Sequence, residues 1–202
     1  MKPGRLLDVG CGSGAYLRDM EALGWQVAGV DISPEAIKCA TRDGYNAKVG
    51  TLFSAHLEEE SFDLITMWHV LEHFHRPVDM LRRAHDILRP NGRLILAVPN
   101  WRSIMRQIGG DAWWCLEVPR HLHHFTPETL RKTLTTAGFE VSLLRPKVRP
   151  RMVVGTLGMK FPSLNGGSTL KNRILEAAVF PFELAAASGL RSDTIWAVAT
   201  RK

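Results

Sequence analysis

The chain is short of the features that would mark it as secreted, membrane-spanning or fibrous. Its 202 residues hold three cysteines, Cys11, Cys39 and Cys115, too few and too scattered for a disulfide framework or a zinc ribbon. It has no internal repeat and no low-complexity segment. The most apolar stretch, Ile174 to Leu190, is interrupted by Glu176, Pro181 and Glu183, which makes it a poor spanning helix. Only Met1-Lys2-Pro3-Gly4 stands before the first apolar run; with no apolar leader region, a cytoplasmic location is expected. Hydrophobic residues at 45% and charged residues at 23% exclude wholesale disorder. Lys and Arg total 26 against 20 Asp and Glu, a net charge of +6. Such a balance raises nucleic acid or an anionic membrane as partners, but a whole-chain sum does not say where the charge sits.

What is present is an α/β rhythm. Leu6 to Val9 reads as a strand that ends in Gly10-Cys11-Gly12-Ser13-Gly14, and a helix follows with Leu17, Met20 and Leu23 at helical spacing. Strands are predicted at Gln26–Val30, Asn46–Val49, Phe62–Met67 and Arg93–Val98. Between them lie helices from Ser33-Pro34 to Arg42 and from Val78 to Leu88, the latter stopped by Pro90-Asn91-Gly92. Alternation of this kind predicts right-handed βαβ units and a parallel sheet covered on both faces. After Asn100 the rhythm breaks. A helix from Thr126 to Ala137 and strands at Phe139–Leu144 and Thr194–Thr200 resume it. The expectation is one domain over residues 1–202, with irregular insertions at about 101–125 and 146–192.

The glycine loop sits where the first strand turns into the first helix. Glycines there allow close backbone approach to a ligand, and the helix start offers unpaired N–H groups. Asp31 ends the second strand, 21 residues past Gly10, where a carboxylate can accept from ribose hydroxyls. A nicotinamide cofactor on a similar sheet is the competing reading. Asp8 argues against it, since a carboxylate there would repel a pyrophosphate and attract a cationic amino-acid moiety. A non-catalytic nucleoside-binding module is a third reading.

Leu7-Asp8-Val9-Gly10-Cys11-Gly12-Ser13-Gly14, Gly29-Val30-Asp31-Ile32-Ser33, Phe62-Asp63-Leu64-Ile65, Leu71-Glu72-His73 and Leu88-Arg89-Pro90-Asn91-Gly92-Arg93-Leu94 resemble, in order, the motifs of class I S-adenosylmethionine-dependent methyltransferases. Arg120 to Leu130 and Ala137-Gly138-Phe139 extend the resemblance toward ubiquinone-biosynthesis O-methyltransferases and glycan-pathway methyltransferases. The resemblance implies a doubly wound, mostly parallel, seven-stranded Rossmann-like sheet, its last strand antiparallel between the fifth and sixth. It also implies S-adenosylmethionine as cofactor. Asp8 and the Gly10-Cys11-Gly12 loop would hold the methionine end and Asp31 the ribose, with Gly14 also in the expected cofactor set. Ile32 would lie against the adenine, and Thr51 or a backbone carbonyl would accept from its amino group. Trp68 completes the expected cofactor set.

His69-Val70-Leu71-Glu72-His73 fits H-x-x-E-H, and on a helix His69 and His73 would share a face, as two metal ligands must. The ubiquinone-pathway enzymes resemble this segment with a magnesium-binding Glu, Glu, His set, onto which His69, Glu72 and His73 fall. A histidine in the first place would favour zinc or manganese over magnesium. The bland alternative is that Leu71-Glu72-His73 only positions the segment after the fourth strand. His69 and His73 also join His121 as candidates to face the reaction, with His121 the expected general base. In an extended segment, alternation would put His121 and His123 on one side and His124 on the other. Of Trp68, Trp101, Trp113 and Trp114, at least two are expected to fix the first insertion to the sheet.

Splitting the charge is informative. Residues 1–100 hold 11 Lys and Arg against 13 Asp and Glu, a net of −2, while residues 101–202 hold 15 against 7, a net of +8. Arg145 to Arg151 alternates basic residues with Pro146, Val148 and Pro150, which predicts an exposed arm. Around Arg173 a basic start leads into an apolar helix that Pro181 should kink or end. The stretch 145–190 is thus a candidate peripheral-membrane contact, a lid or a homodimer surface. Base-reading motifs are missing, so no nucleic-acid partner is expected. The expected acceptor is a small molecule, a glycan or a lipid-like intermediate, methylated at oxygen.

Overall fold

Strand β1 (Arg5–Val9) enters the middle of a seven-stranded sheet, and its side chains alternate between two apolar layers. Leu6 packs with Leu17, Ile37 and Leu64 on one face. Leu7 and Val9 join Ile65, Met67, Leu81 and Leu130 on the other. Burial on both faces is what a parallel sheet with helices on each side requires. The computed structural model describes residues 2–147, 149–161 and 169–201, with positions 169–172 and 183 described by backbone alone.

The other strands are β2 (Gln26–Asp31), β3 (Asn46–Val49), β4 (Phe62–Trp68), β5 (Leu88–Pro99), β6 (Phe139–Lys147) and β7 (Thr194–Arg201). Their order is β3-β2-β1-β4-β5-β7-β6, parallel except that β7 runs antiparallel to both β5 and β6. The helices are α1 (Ala15–Glu21), α2 (Pro34–Arg42), α3 (Pro77–Ile87), α4 (Ile104–Gly109), α5 (Pro127–Thr136), α6 (Pro150–Lys160) and α7 (Thr169–Ser188). Ser33 caps α2 by accepting from Ala36 N at 3.2 Å, ahead of a first-turn proline. Thr126 and Thr129 cap α5 reciprocally.

Several boundaries differ from the sequence reading, each for a physical reason. Strand β5 begins at Leu88, and Arg89-Pro90-Asn91-Gly92 forms a bulge between the Phe62↔Leu88 and Leu64↔Arg93 pairs. Pro146 lies inside β6, opposite Ile195, rather than in an exposed arm. That strand is an edge, where the missing N–H faces outward at no cost to the ladder. The second insertion is helical where it is described: Pro150 opens α6 as a first-turn residue, and α7 continues through Pro181. Val148 and residues 162–168 lie outside the described residues. No described helix is long and apolar enough to cross a membrane.

A third, smaller core belongs to the insertions alone. Met105, Trp113 and Cys115 from the first pack with Val153 of α6 from the second. Trp113 Nε1 donates to Asp193 Oδ1 at 2.8 Å, and Asn100 Nδ2 donates to the carbonyls of Leu190 and Ser192 at 2.9 and 2.8 Å. Trp101 lies edge-on to Trp113 and stacks under Arg106. Trp101 and Trp113 are therefore the packing tryptophans, while Trp114 remains half exposed.

Candidate functional site

The carboxyl ends of β1, β2 and β4 open onto a cavity of about 520 Å³ lined by Val9, Gly10, Asp31, Ile32, Thr51, Trp68, His69, Val70, His73 and Arg120, among others. This is where ligands bind in open α/β sheets. Gly10 (φ 77°) turns the loop toward Val70, and a Cβ on it would stand 2.5 Å from Val70 Cγ2. No atom lies within 4 Å of where a Cβ on Gly12 would be, so the loop is open there. Asp31 ties the loop to the second strand: Oδ2 accepts from Gly12 N and Oδ1 from Ser33 N, each at 2.9 Å. Ile32 is three-quarters exposed, an apolar surface on the cavity wall with nothing over it. Thr51 holds a tight turn, its N–H donating to Ser54 Oγ at 2.9 Å.

Four of the expected cofactor residues, Asp8, Cys11, Gly12 and Gly14, are not among those lining this cavity. Asp8 is buried beneath the loop and accepts from Thr66 Oγ1 at 2.6 Å. Burial, opposed by that hydrogen bond and aided by the charge of Asp31, raises its pKa to about 7. The Cys11 side chain points into the lower core against Gly29, where burial pushes its thiol up to about 12. Gly14 is a packing glycine, since a Cβ there would press on Tyr45 and Ala40.

The H-x-x-E-H segment is not a helix. His69 has φ 56°, its N–H donates to Ala97 O at 2.9 Å, and only Leu71–His73 forms a single 3₁₀ turn. The left-handed residue at the strand exit prevents His69 and His73 from sharing a helical face. The expected trio of His69, Glu72 and His73 is replaced by Glu72, His73 and His121, whose donor atoms lie within 4.8 Å of one another. His69 stays beside them, its Nδ1 3.4 Å from Glu72 Oε1. Glu72 is fully buried, and neither carboxylate oxygen has a hydrogen-bond partner.

His121 reaches this turn because its segment is stitched to it. Leu122 N and His123 N both donate to Glu72 O, at 2.9 and 3.1 Å, and His73 Nδ1 lies 2.9 Å from Arg120 O. His121 Nδ1 lies 2.8 Å from Cys115 O. A carbonyl only accepts, so in the neutral rings Nδ1 carries the hydrogen and Nε2 the lone pair. Nε2 of His121 lies 4.0 Å from Glu72 Oε1 and 3.9 Å from Glu117 Oε2. Burial lowers the His121 pKa, which favours the neutral ring. Simple alternation fails here, because His124 also turns inward, to Leu116 O at 3.1 Å, and His123 lies by Phe125.

A second chamber of about 200 Å³ adjoins the first. It is lined by Pro99, Trp114, Cys115, Glu117, His121 and Met152, and shares His69, His73 and Arg120 with the larger cavity. The sequence reading missed Glu117, Met152 and Arg120 as wall residues. Only their place beside the histidine run could have pointed to the last of them.

A seven-stranded sheet with an antiparallel final strand, a glycine loop and an acidic second-strand end defines the fold class of S-adenosylmethionine-dependent methyltransferases. The chain belongs to the methyltransferase-domain family, whose profile matches residues 1–144. It is 32% identical over 130 residues to the ubiquinone biosynthesis O-methyltransferase of Xanthomonas oryzae pv. oryzae, covering 60% of this chain and 54% of the relative. Against the protein of the same name from Xanthomonas euvesicatoria pv. vesicatoria, identity is 29% over 150 residues, covering 68% and 63%. The match thus spans little more than half of the first of these relatives. Among solved structures, an S-adenosylmethionine-dependent methyltransferase from Mesorhizobium loti superposes with a TM-score of 0.67 at 20% identity, covering all of this chain and 93% of that one. The [4+2]-cyclase SpnF superposes at 0.69 with 22% identity, covering all of this chain and 76% of that one. At such identities the likeness is one of fold.

Proposed function

We propose that the protein moves the methyl group of S-adenosylmethionine to a hydroxyl oxygen of a small acceptor. The observation that carries this reading is that the two chambers share walls: the glycine-loop cavity, with the Asp31 carboxylate on its wall, has His69, His73 and Arg120 in common with a chamber lined by His121, whose Nδ1 is 2.8 Å from Cys115 O. The fit to the cofactor rests on the open loop at Gly12, the Asp31 carboxylate on the cavity wall, and the uncovered Ile32 face. When bound, the cofactor supplies an electrophilic methyl on a sulfonium centre. Asp31 would hold the ribose hydroxyls, Ile32 the adenine face, and Thr51 the adenine edge. His121 Nε2 would take the acceptor's hydroxyl proton, its ring fixed by Cys115 O. The walls of both chambers would hold the reacting groups in line, which is most of what methyl transfer demands. The relatives' name, an O-methyltransferase of ubiquinone biosynthesis, supports oxygen as the methylated atom.

One observation favours a second reading of the inner chamber. A buried carboxylate with two unpartnered oxygens calls for a cation. Glu72, His73 and His121 would hold a divalent ion there, which would lower the pKa of an acceptor hydroxyl and take over from His121 as its activator. Metal content of the purified protein, measured before and after chelation, decides between the two.

The functional reading is tested by calorimetric titration with S-adenosylhomocysteine and with NAD. Heat with the first and none with the second is expected; no heat with S-adenosylhomocysteine overturns it. Radiolabelled methyl transfer to a panel of hydroxylated aromatics, sugars and lipid intermediates then identifies the acceptor class.

A further inference from the structure

Arg120 is the one lysine or arginine side chain among the described residues lining the larger cavity, and it lines the inner chamber as well. It comes from the first insertion, outside the strand-end motifs that build the rest of the cavity wall. Its backbone is nevertheless fixed to that wall, since its carbonyl accepts from His73 Nδ1 at 2.9 Å. Two further hydrogen bonds, from Leu122 N and His123 N to Glu72 O, fasten the same stretch to the 3₁₀ turn. That turn begins next to Val70, the residue that faces Gly10 of the loop. The guanidinium is therefore carried on a backbone held in place, while the side chain itself is three-quarters exposed.

The lining residues divide by chemistry. Asp31, Ile32, Gly50 and Thr51 form one end, with a carboxylate and apolar surface suited to a nucleoside. Trp68, His69, His73 and Arg120 form the other, where the fixed positive charge lies. A ligand that is a nucleoside at one end and an amino acid at the other presents its carboxylate to this second end. Asp8, buried beneath the loop and off the cavity wall, does not reach that carboxylate.

We infer that Arg120 binds the carboxylate of the cofactor's methionine moiety, so that the first insertion completes the cofactor site. The inference rests on the cofactor reading above and names a group that the strand-end motifs do not supply. Arg120 now pairs with Glu117 at 3.2 Å. On an exposed pair that contact is weak, and a bidentate carboxylate can share or displace it.

The test is calorimetry on the full chain with two probes, S-adenosylhomocysteine and 5′-methylthioadenosine, which lacks the amino-acid end. Arg120→Met is expected to weaken S-adenosylhomocysteine about tenfold or more, the usual loss of a charge-assisted hydrogen bond, and to leave methylthioadenosine unchanged. Arg120→Lys, which keeps the charge but not the fork, should fall between the two. Unchanged S-adenosylhomocysteine affinity in Arg120→Met overturns the inference. So does equal weakening of both probes, which would assign Arg120 to the shape of the cavity or to the acceptor. If the unaltered protein binds neither probe, the cofactor reading falls first and this one with it.

Discussion

Thr66 donates to Asp8 at 2.6 Å in the floor beneath the glycine loop, two side chains from adjacent parallel strands closing on each other away from water. That pairing moves Asp8 from the cavity wall into the scaffold, and its pH behaviour follows. The folded-state pKa is raised from 3.8 to about 7, so the folded protein holds a proton that the unfolded chain has released. Stability from this group is complete below about pH 4, declines as pH rises, and is lost above about 7. Asp8→Asn keeps the partner for Thr66 without the buried charge. It should stabilise the protein by about 2 kcal/mol more at pH 8 than at pH 5, read from urea unfolding at both values. An equal effect at the two pH values would refute the shift.

Asp31→Ala removes the acceptor for Gly12 N and the proposed ribose partner together. S-adenosylhomocysteine affinity should drop by about 1–3 kcal/mol. Calorimetry showing unchanged affinity would contradict the ribose assignment.

His121→Ala separates chemistry from cofactor binding. With an acceptor that turns over, kcat should fall by about 10² to 10⁴ if His121 is the base, while S-adenosylhomocysteine still binds as tightly as before. Loss of cofactor binding instead would show that the stretch from Cys115 to His124 had collapsed.

Trp113→Phe keeps an aromatic ring in the insertion core and removes one of the donors to Asp193, whose carboxyl burial already pushes above the usual range. A loss of about 1–3 kcal/mol is expected from the lost hydrogen bond to a buried carboxyl, measured by denaturant unfolding. Stability within a few tenths of the unaltered protein would mean that Asp193 finds another partner.

We further propose that α7 meets an anionic membrane surface. Ile174, Phe180, Phe182 and Leu184 are exposed along it, beside exposed Arg173 and, on α6, Arg151. Co-sedimentation with vesicles containing phosphatidylglycerol should exceed that with neutral vesicles, weaken with salt and drop on Phe180→Ser with Phe182→Ser. Binding that ignores lipid charge would count against this surface, and a dimer in sedimentation analysis would replace it.

The cofactor half was legible because its signals are local. Leu6-Leu7-Asp8-Val9 before a glycine loop, and Ser33-Pro34 at a helix start, each specify their own geometry. The turn after β4 was not, because a single left-handed residue, His69, undoes the helical spacing that H-x-x-E-H suggests. Pro146 misled for the opposite reason: whether a proline breaks a strand depends on whether that strand is an edge, which is a property of the whole sheet. The partners of His121, Cys115 O and Glu72, come from the insertion's own folding and from a turn 49 residues earlier. No sequence period encodes such a meeting.

Lys147 and Thr194 are register partners at the mouth of the second insertion, about 5 Å apart as antiparallel neighbours are. The 46 residues between them leave and return at one point on the sheet, as a drawer slides from a single slot. A chain that joined Lys147 to Thr194 through a short turn would keep all seven strands and the strand ends around Asp31 while discarding α7 and α6, which gives the inner chamber its Met152 wall. The fold thus sets the two insertions, packed on each other through Trp113, Cys115 and Val153, apart from the strand ends that carry the glycine loop and Asp31.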